Sequence, residues 1–300
     1  MNLQDAYYEQ KFENAFLRAK GDEFQTFFER LMCLAFQADF MACRPWGNQG
    51  DRKNDGFLKS ERRLFQVYAP NEMVATKAEV KITEDFEGAK IHWGGHFDKW
   101  SFVHNAEDGL PPHVHKLLLD FEQANPGIEL QPWGLAELRL IFRKLPITEK
   151  ATWFGLAPTD ATKALLGFGD LQVVLEQIAS LAAPALAEVR AVPMGKIEAN
   201  ALTESVAQLL KAGMAKSPLV SDFLSRWHDE TLGERLAEAF KAEYRRFREN
   251  YKPNQIFAEL QSWAGGGSRG TAEHELAVLT VIAYYFERCE IFEEPRDHTA

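Results

Sequence analysis

The sequence predicts an α/β domain, with a mixed sheet flanked by helices, followed by an all-α domain. Strand-like and helical segments alternate in the first half of the chain, whereas nearly every segment after about residue 146 has helical spacing. Pro146, Pro158 and several glycines separate the two regions. The 300 residues suffice for two cores. We therefore expect one domain over residues 1–150 and a helical domain over residues 165–300.

The elements of the first half follow from the spacing of apolar residues. Phe24, Phe27, Phe28 and Leu31 recur at helical intervals and predict a helix over about residues 22–37. Aromatic and branched residues bounded by Gly and Pro predict two strands, at residues 57–58 and 63–68. The remaining predictions are a helix at 77–93, a strand at 100–103, a helix at 117–125, an extended segment at 128–130 and a helix at 135–144.

The second half is predicted to consist of helices alone. These helices span residues 170–183, 201–212, 217–229, 232–250, 253–263 and 271–289. The last is the clearest, because Thr271 can cap its start. One of its faces is lined by Leu276, Leu279, Ile282 and Phe286.

Composition indicates a cytoplasmic protein. The three cysteines, Cys33, Cys43 and Cys289, are odd in number and scattered, which is typical of a reducing compartment. The first residues lack the features of a signal peptide, and no apolar run approaches the roughly 20 residues that cross a bilayer. The net charge of −10 argues against a protein that coats polyanions, although a local basic patch can still hold DNA.

One acidic turn carries the clearest chemical signal. Asn54, Asp55 and Gly56 precede a predicted strand, so they can project the Asp55 carboxylate beside the sheet. Mg²⁺ is held by one or two carboxylates together with water and substrate oxygens, and such an ion assists phosphodiester hydrolysis. Asp55 is thus a candidate metal ligand, with Asp51 as a second candidate. The alternative is that Asn-Asp-Gly forms only a hairpin turn.

Two polar residues on the following strand share one face. Gln66 and Tyr68 are two positions apart, so a face that receives Asp55 also receives them. Gln66 can then orient a metal-bound water and Tyr68 can touch phosphate. Neither supplies positive charge, which Lys77 and Lys81 of the next helix can provide. For each lysine, a solvated helix face is the alternative.

The hairpin around these strands is locally basic. Its cationic residues are Arg52, Lys53, Lys59, Arg62 and Arg63. Such a cluster suits contacts with a phosphate backbone, and an ordinary charged hairpin surface explains it equally well. Farther on, His104 and Asn105 follow a predicted strand, where they either line a cleft or end the strand.

Several of these segments resemble a known protein family. The run from Gly50-Asp51 through Asn54-Asp55-Gly56 to Phe65–Pro70 resembles the N-terminal domain of effectors in ABC-three-component conflict systems, the Lamassu-like defence group. Trp100–Asn105 and Trp133-Gly134 are also similar to that family. So is the stretch Tyr285–Glu293, which resembles the helical C-terminal domain that these systems share.

The resemblance implies a restriction-endonuclease-like fold of the PD-(D/E)xK class. Asp55 matches the acidic metal ligand, and Gln66 matches the second position, where Glu, Asp or Gln stands. Tyr68 falls where the lysine belongs, and Lys81 is the candidate replacement. Gln25 falls where many relatives place a helical glutamate, and Glu29 is nearby. Asp51 or Glu29 then completes the ligand set for Mg²⁺ or Mn²⁺.

The resemblance also implies a partner complex. Its members are an ATPase of the SMC/Rad50 type and a middle component, which hold the effector through its C-terminal helical domain. The expected function is cleavage of foreign DNA on release or activation by that sensor, with a homo-oligomer as the active form. The alternative is a catalytically inactive nuclease fold that binds DNA or scaffolds the complex.

Overall fold

The computed structural model describes residues 1–43, 52–181, 195–229, 231–266, 270–288 and 291–293. The chain divides into two compact units. Residues Phe12–Glu149 form the first, which we call the sheet unit. Residues Met1–Lys11 and Lys150–Ala300 form the second, the helical unit. Helix α1 (Leu3–Arg18) contains the boundary between them, so the first eleven residues are grouped with the helical unit.

The sheet unit contains a five-stranded mixed sheet in the order β1-β2-β3-β4-β5. The first three strands run antiparallel, and β4 and β5 run parallel to β3. The strands are β1 (Phe40–Ala42), β2 (Gly56–Leu58), β3 (Arg63–Tyr68), β4 (Lys99–His104) and β5 (Glu129–Trp133). The helices are α2 (Gly21–Phe36), α3 (Ala75–Trp93), α4 (Pro112–Ala124) and α5 (Leu135–Lys144).

Both faces of the sheet are covered, because side chains alternate along each strand. On one face, Leu64, Trp100 and Phe102 form a core cluster with Phe86 of α3 and Val114 of α4. On the other face lies a second aromatic group, in which Phe65 contacts Phe28 of α2, Phe40 of β1 and Trp133 of β5. The alternation places Gln66 and Tyr68 on the same face as Leu64.

The helical unit is built around its last helix, α14. The helices are α6 (Ile147–Phe154), α7 (Asp160–Leu165), α8 (Phe168–Leu181), α9 (Lys196–Ala199), α10 (Glu204–Met214), α11 (Ser217–Arg226), α12 (Leu232–Arg248), α13 (Pro253–Ala264) and α14 (Ala272–Glu287). Every residue of α14 from Leu276 to Phe286 is buried. Helices α8, α10, α11 and α13 pack against it.

Most predicted elements are confirmed. The first half of the chain is mixed α/β and the second half is mainly helical, as predicted. Thr271 caps α14 by accepting a hydrogen bond from the backbone N–H of His274 at 3.2 Å. The prediction of one apolar face on α14 was too narrow, because the helix is enclosed on all sides. The connecting segment near Pro158 contains the short helices α6 and α7. Helix α1 and strand β1 were not predicted.

None of the helices in the described part of the chain is long and apolar enough to cross a membrane.

Candidate functional site

Asp55 lies at the start of β2 and is 5% exposed. Its Oδ1 accepts a hydrogen bond from Gln25 Nε2 of α2 at 3.1 Å, and its Oδ2 accepts one from the backbone N–H of Val67 at 2.6 Å. Its own N–H donates to the carbonyl of Phe65 at 2.9 Å. The carboxylate thereby joins α2, β2 and β3. The helical position suggested by the family resemblance, Gln25, is in direct contact with Asp55.

Asn54 gives this turn its shape. Its Oδ1 accepts a hydrogen bond from the N–H of Gly56 at 2.9 Å, and its side chain is fully buried. This side-chain turn is one that Asn favours, and it leads the chain into β2. The hairpin between β2 and β3 lies elsewhere, at residues 59–62. Asn54 and Asp55 therefore do form a turn, which leads into β2 and is distinct from the hairpin turn between β2 and β3.

Gln66 and Tyr68 stand beside this carboxylate on β3. The register pairs Gly56 with Phe65, and one further position along it places Asp55 opposite Gln66. Gln66 is 3% exposed, and its Oε1 has no hydrogen-bond partner among the described residues. A buried carbonyl oxygen without a donor is uncommon and available to a cation or a water. Tyr68 packs on Phe102, with ring centroids 5.9 Å apart.

A cavity of about 390 Å³ opens next to Tyr68. Lys77, Val80 and Lys81 of α3 line it together with Tyr68. The structure thus places both lysines that the sequence suggested as sources of positive charge at one opening. Thr76 and Glu84 complete the lining.

Two lysines converge on one carboxylate that the sequence analysis did not identify. Asp85 of α3 is fully buried. Its Oδ1 accepts hydrogen bonds from Lys53 Nζ and Lys81 Nζ, each at 2.8 Å. Lys81 Nζ also lies 2.7 Å from Oδ2. One available signal was the Lys81–Asp85 spacing of four, which favours an ion pair on a helix.

The predicted phosphate-contacting residues occupy different environments. Arg52 is exposed, and its carbonyl accepts a hydrogen bond from Trp93 Nε1 at 3.0 Å. Arg62 is held at the hairpin, where Nε donates to Asp98 at 2.5 Å and Nη2 donates to the carbonyl of Gly95 at 2.7 Å. Arg62 lies three to five positions before the β3 residues that contact Asp55. Along an extended strand this spacing separates Arg62 from those residues by roughly 10–16 Å.

Arg63 lies inside the sheet unit and is 4% exposed. Its Nη1 donates to Ser101 Oγ at 2.7 Å and to Gln131 Oε1 at 3.1 Å, and its Nε donates to Glu61 at 3.0 Å. Its guanidinium also lies 5.3 Å from the ring centroid of Trp133. These contacts belong to the interior, because a buried guanidinium requires partners. Arg63 is therefore not available to contact a phosphate backbone, contrary to the prediction.

Few side-chain oxygens near Asp55 are available as ligands for a divalent ion. Among the described residues, no group of three or more His, Cys, Asp and Glu side chains is arranged to hold a metal. Asp51 lies outside those residues, and Glu29 is half-buried on α2, four positions after Gln25. Asp55 and the unpartnered Gln66 Oε1 remain. A single carboxylate with an amide oxygen suits Mg²⁺, which takes further ligands from water and substrate phosphate.

A second cavity, of about 430 Å³, lies at the carboxyl ends of β4 and β5. His104 lines it and is 4% exposed. Burial, with a smaller contribution from His115, lowers the pKa of His104 to about 4. Its Nδ1 accepts from the N–H of Ala106 at 3.2 Å, so the neutral ring carries its proton on Nε2. Asn105 instead ties the chain to the carbonyls of Ala19 and Pro70.

In the helical unit, Asn200 anchors the end of the described chain. Its side-chain amide donates to the carbonyl of Glu293 at 2.8 Å and accepts from the N–H of Glu293 at 2.9 Å. Ile291 and Phe292 are buried beside it, although Phe292 has a left-handed backbone, with φ of 65°. This segment belongs to the stretch on which the family resemblance rests. Cys289 and Glu290 of that stretch lie outside the described residues.

The fold and site define a protein of two parts. The first is an α/β unit with two buried carboxylates, Asp55 and Asp85, of which Asp85 is bonded to Lys53 and Lys81. The second is a helical unit built around one enclosed helix. Residues 169–293 match the family model for C-terminal domain 10 of the ABC-three component (ABC-3C) systems. The matched residues run from α8 to the segment after α14, and the match supports membership of an ABC-three component system. No curated protein and no solved structure matches the chain.

Proposed function

We propose that this protein is a nuclease effector of an ABC-three component defence system, with its site at Asp55 in the sheet unit. The observation that carries the proposal is the placement of Asp55. A buried carboxylate at the start of β2 contacts α2 and β3, and its register neighbour is Gln66. The order of one helix, three antiparallel strands, one helix and a parallel strand agrees with a restriction-endonuclease-like fold.

The metal in this proposal is Mg²⁺ or Mn²⁺. Asp55 and Gln66 Oε1 would hold it, with Asp51 or Glu29 completing the set. A bound divalent ion activates water and neutralises charge on a phosphate. The residues around it have separate tasks. Gln25 and Val67 orient the Asp55 carboxylate, and Lys81 places positive charge at the cavity next to Tyr68.

The partners in this proposal follow from the C-terminal match. The helical unit would bind the SMC-like ATPase and the middle component, while the sheet unit acts on DNA. A sensor that releases or pairs two sheet units can limit double-strand cleavage to the moment of detection. The active form would then be a homo-oligomer.

An inactive, DNA-binding subunit is the second candidate function. It is favoured by Tyr68, which stands where relatives place lysine and packs on Phe102. It is also favoured by the two hydrogen bonds that Asp55 accepts, one at each carboxylate oxygen, from Gln25 and from the backbone of Val67. Under this alternative the chain binds DNA or scaffolds the complex without cleaving it.

Plasmid cleavage separates the two candidates. Purified wild type and the Asp55→Asn variant are incubated with supercoiled plasmid and Mg²⁺, alone and together with the partner ATPase and middle component. We expect wild type to nick or linearise the plasmid and Asp55→Asn to lose at least about 100-fold in rate, since a metal ligand supplies several kcal/mol of transition-state stabilisation.

The matched control is Asp120→Asn. Asp120 is an exposed carboxylate on α4 that pairs with Lys116, so this variant should cleave like wild type. Cleavage that persists in Asp55→Asn would overturn the site. Absence of cleavage by wild type in the complete complex would leave the inactive, DNA-binding subunit as the function.

A further inference from the structure

The loops that follow β4 and β5 lead to opposite faces of the sheet. Helix α4, after β4, supplies Val114 to the core cluster that contains Trp100 and Phe102. Helix α5, after β5, packs against α2, which covers the other face at Phe65. In open α/β sheets, ligands bind in the crevice that forms where neighbouring connections diverge at the carboxyl ends of the strands. The cavity of about 430 Å³ lies in this crevice, and its volume is typical of small-molecule sites.

His104 supplies a hydrogen-bond donor inside this cavity. The ring is buried, and its Nδ1 accepts from the N–H of Ala106, so the proton of the neutral ring lies on Nε2. Among the described residues, Nε2 has no hydrogen-bond partner and is not fully enclosed. A buried side chain with an unpartnered donor is uncommon. The Nε2–H is therefore open to an acceptor that enters the cavity.

Gly134 keeps this donor uncovered. A Cβ at this position would lie 2.8 Å from Cε1 and 3.1 Å from Nε2 of His104. The backbone of Gly134 is extended, with φ of −116°, so no left-handed conformation requires glycine here. What glycine provides is the space beside Nε2, which a side chain would fill.

The first turn of α5 adds backbone donors to the same cavity. Leu135 and Ala136 line the cavity and begin a helix of 10 residues, so their N–H groups have no acceptor within that helix. Glu137 caps the helix by accepting from the N–H of Gly134 at 2.8 Å. The N–H groups at a helix start favour a negatively charged group. Together with the Nε2–H of His104, they suit the carboxylate of a ligand.

Acidic side chains in the lining favour a positive group on the same ligand. Glu137 is half-buried, and only its Oε2 bonds the N–H of Gly134. A carboxylate has several acceptor positions, so Glu137 can accept again from an ammonium. The other ionisable residues of the lining are Glu107, Asp108, His115 and Arg139. Since three carboxylates line the cavity with one guanidinium, a simple anion is disfavoured and a zwitterion is favoured.

We propose that this cavity binds a free amino acid with an apolar side chain. The ligand carboxylate accepts from His104 Nε2–H and from the first turn of α5, and the ligand ammonium donates to Glu137. Leu110 and Pro132 provide apolar surface for the side chain. The site is independent of the proposed nuclease centre, because neither Asp55 nor the residues that contact it line this cavity.

Three probes of similar shape test which charges the site recognises. They are L-leucine, 4-methylpentanoate, which lacks the ammonium, and 3-methylbutylamine, which lacks the carboxylate. Histidine labelled with ¹³C at Cε1 is observed by NMR in the full chain, without DNA or metal. We expect leucine to shift the His104 signal saturably and to leave exposed His96 unchanged. Each analogue should bind at least about 10-fold more weakly, because each lacks one charge-assisted contact.

Two outcomes of this titration would overturn the proposal. The first is no saturable shift of His104 with leucine. The second is an analogue that binds as tightly as leucine, because the site would then not recognise a zwitterion.

Glu137→Gln tests the ammonium contact. Glutamine keeps an acceptor for the N–H of Gly134 but removes the charge, so the affinity for leucine should fall about 10-fold while that for 4-methylpentanoate stays equal or rises. A merely structural role for Glu137 would weaken both probes alike, and that result would remove Glu137 from the site. Glu72→Gln is the matched control, because Glu72 is exposed and does not line the cavity.

Gly134→Ala tests the space beside His104. The new Cβ would cover Nε2, so the Kd for leucine should rise at least about 10-fold. Gly169→Ala is the matched control, because a Cβ there meets nothing within 4 Å. Urea denaturation establishes that each variant is folded, and the Glu137→Gln comparison does not depend on Gly134→Ala. Unchanged leucine affinity in a folded Gly134→Ala variant would contradict binding at His104.

Discussion

Asn54 and Asp55 show how neighbouring residues divide two tasks at one turn. Asn54 bonds the N–H of Gly56 and shapes the backbone, whereas Asp55 reaches across to Gln25 and Val67. Because the local turn is satisfied by Asn54, the Asp55 carboxylate is left for contacts outside the turn. A single carboxylate can therefore tie a helix to two strands.

His104 should make the stability of the protein sensitive to acid. Its pKa in the folded state is about 4, below the value near 6.5 of an unfolded chain. The folded state then binds the proton less readily, so this contribution to stability is present above pH 6.5 and is lost as the pH falls towards 4. The loss approaches about 1.4 kcal/mol per pH unit within that window.

Urea denaturation of wild type and His104→Gln between pH 7 and pH 4.5 measures this effect. Glutamine keeps an acceptor for the N–H of Ala106 but has no proton to gain, so the variant should lose less stability on acidification. His96→Gln is the control, because His96 is exposed. Equal acid sensitivity in wild type and His104→Gln would show that other groups cause it.

At the scale of elements, α10 and α14 approach so closely that one contact requires glycine. A Cβ at Gly213 would lie 2.5 Å from the carbonyl oxygen of Leu279 and 2.8 Å from Cβ of Ala283. The obstacle is backbone, which cannot rotate away. This explains a glycine in the interior of α10, where alanine would otherwise be favoured by about 1 kcal/mol.

We expect Gly213→Ala to destabilise the helical unit by roughly 1–3 kcal/mol, because overpacking between helices outweighs the gain in helix propensity. The matched control is Gly233→Ala in α12, where the new Cβ would lie 3.5 Å from Leu224 Cδ1, an ordinary contact. That variant should be neutral or slightly stabilising. Thermal unfolding followed by circular dichroism measures both. A stabilised Gly213→Ala would contradict the close approach of α10 and α14.

At the scale of the whole molecule, the two units should have separable functions. Asn200 holds the backbone of Glu293 within the region that matches the ABC-three component domain. Replacing Asn200 by alanine removes both hydrogen bonds to the backbone of Glu293, at a cost of roughly 1–3 kcal/mol. We expect Asn200→Ala to weaken co-purification with the partner proteins.

The reciprocal variant is Asp55→Asn, which should keep full association with the partners and lose plasmid cleavage. Co-expression with the other system components, affinity capture and cleavage assays provide both readouts. Loss of association in Asp55→Asn at wild-type stability would show that the sheet unit also takes part in assembly. Unchanged association in Asn200→Ala would remove the anchored segment from the interface.

The sequence by itself determined the order and type of most elements. Periodicity is a local property, so helical spacing located α2, α3, α5 and most of the helical unit, and strand composition located β2 to β5. Asp55 was also accessible, because Asn-Asp-Gly before a strand is a local signal. Helix α1 was missed. The three-residue strand β1 was also missed, because it is too short to show an alternating pattern.

Only the tertiary structure decided which charges serve the interior and which serve the candidate site. Arg63 and Lys53 look alike in the sequence, yet one is buried against Ser101 and the other meets Lys81 at Asp85. The Arg63–Ser101 and Lys53–Asp85 contacts join residues 38 and 32 positions apart, and their formation depends on strand register and on which helix face meets the sheet. Local sequence specifies neither. Burying the Arg63 guanidinium or the Asp85 carboxylate is costly unless each has a polar or charged partner. Tertiary packing supplies those partners from distant parts of the chain.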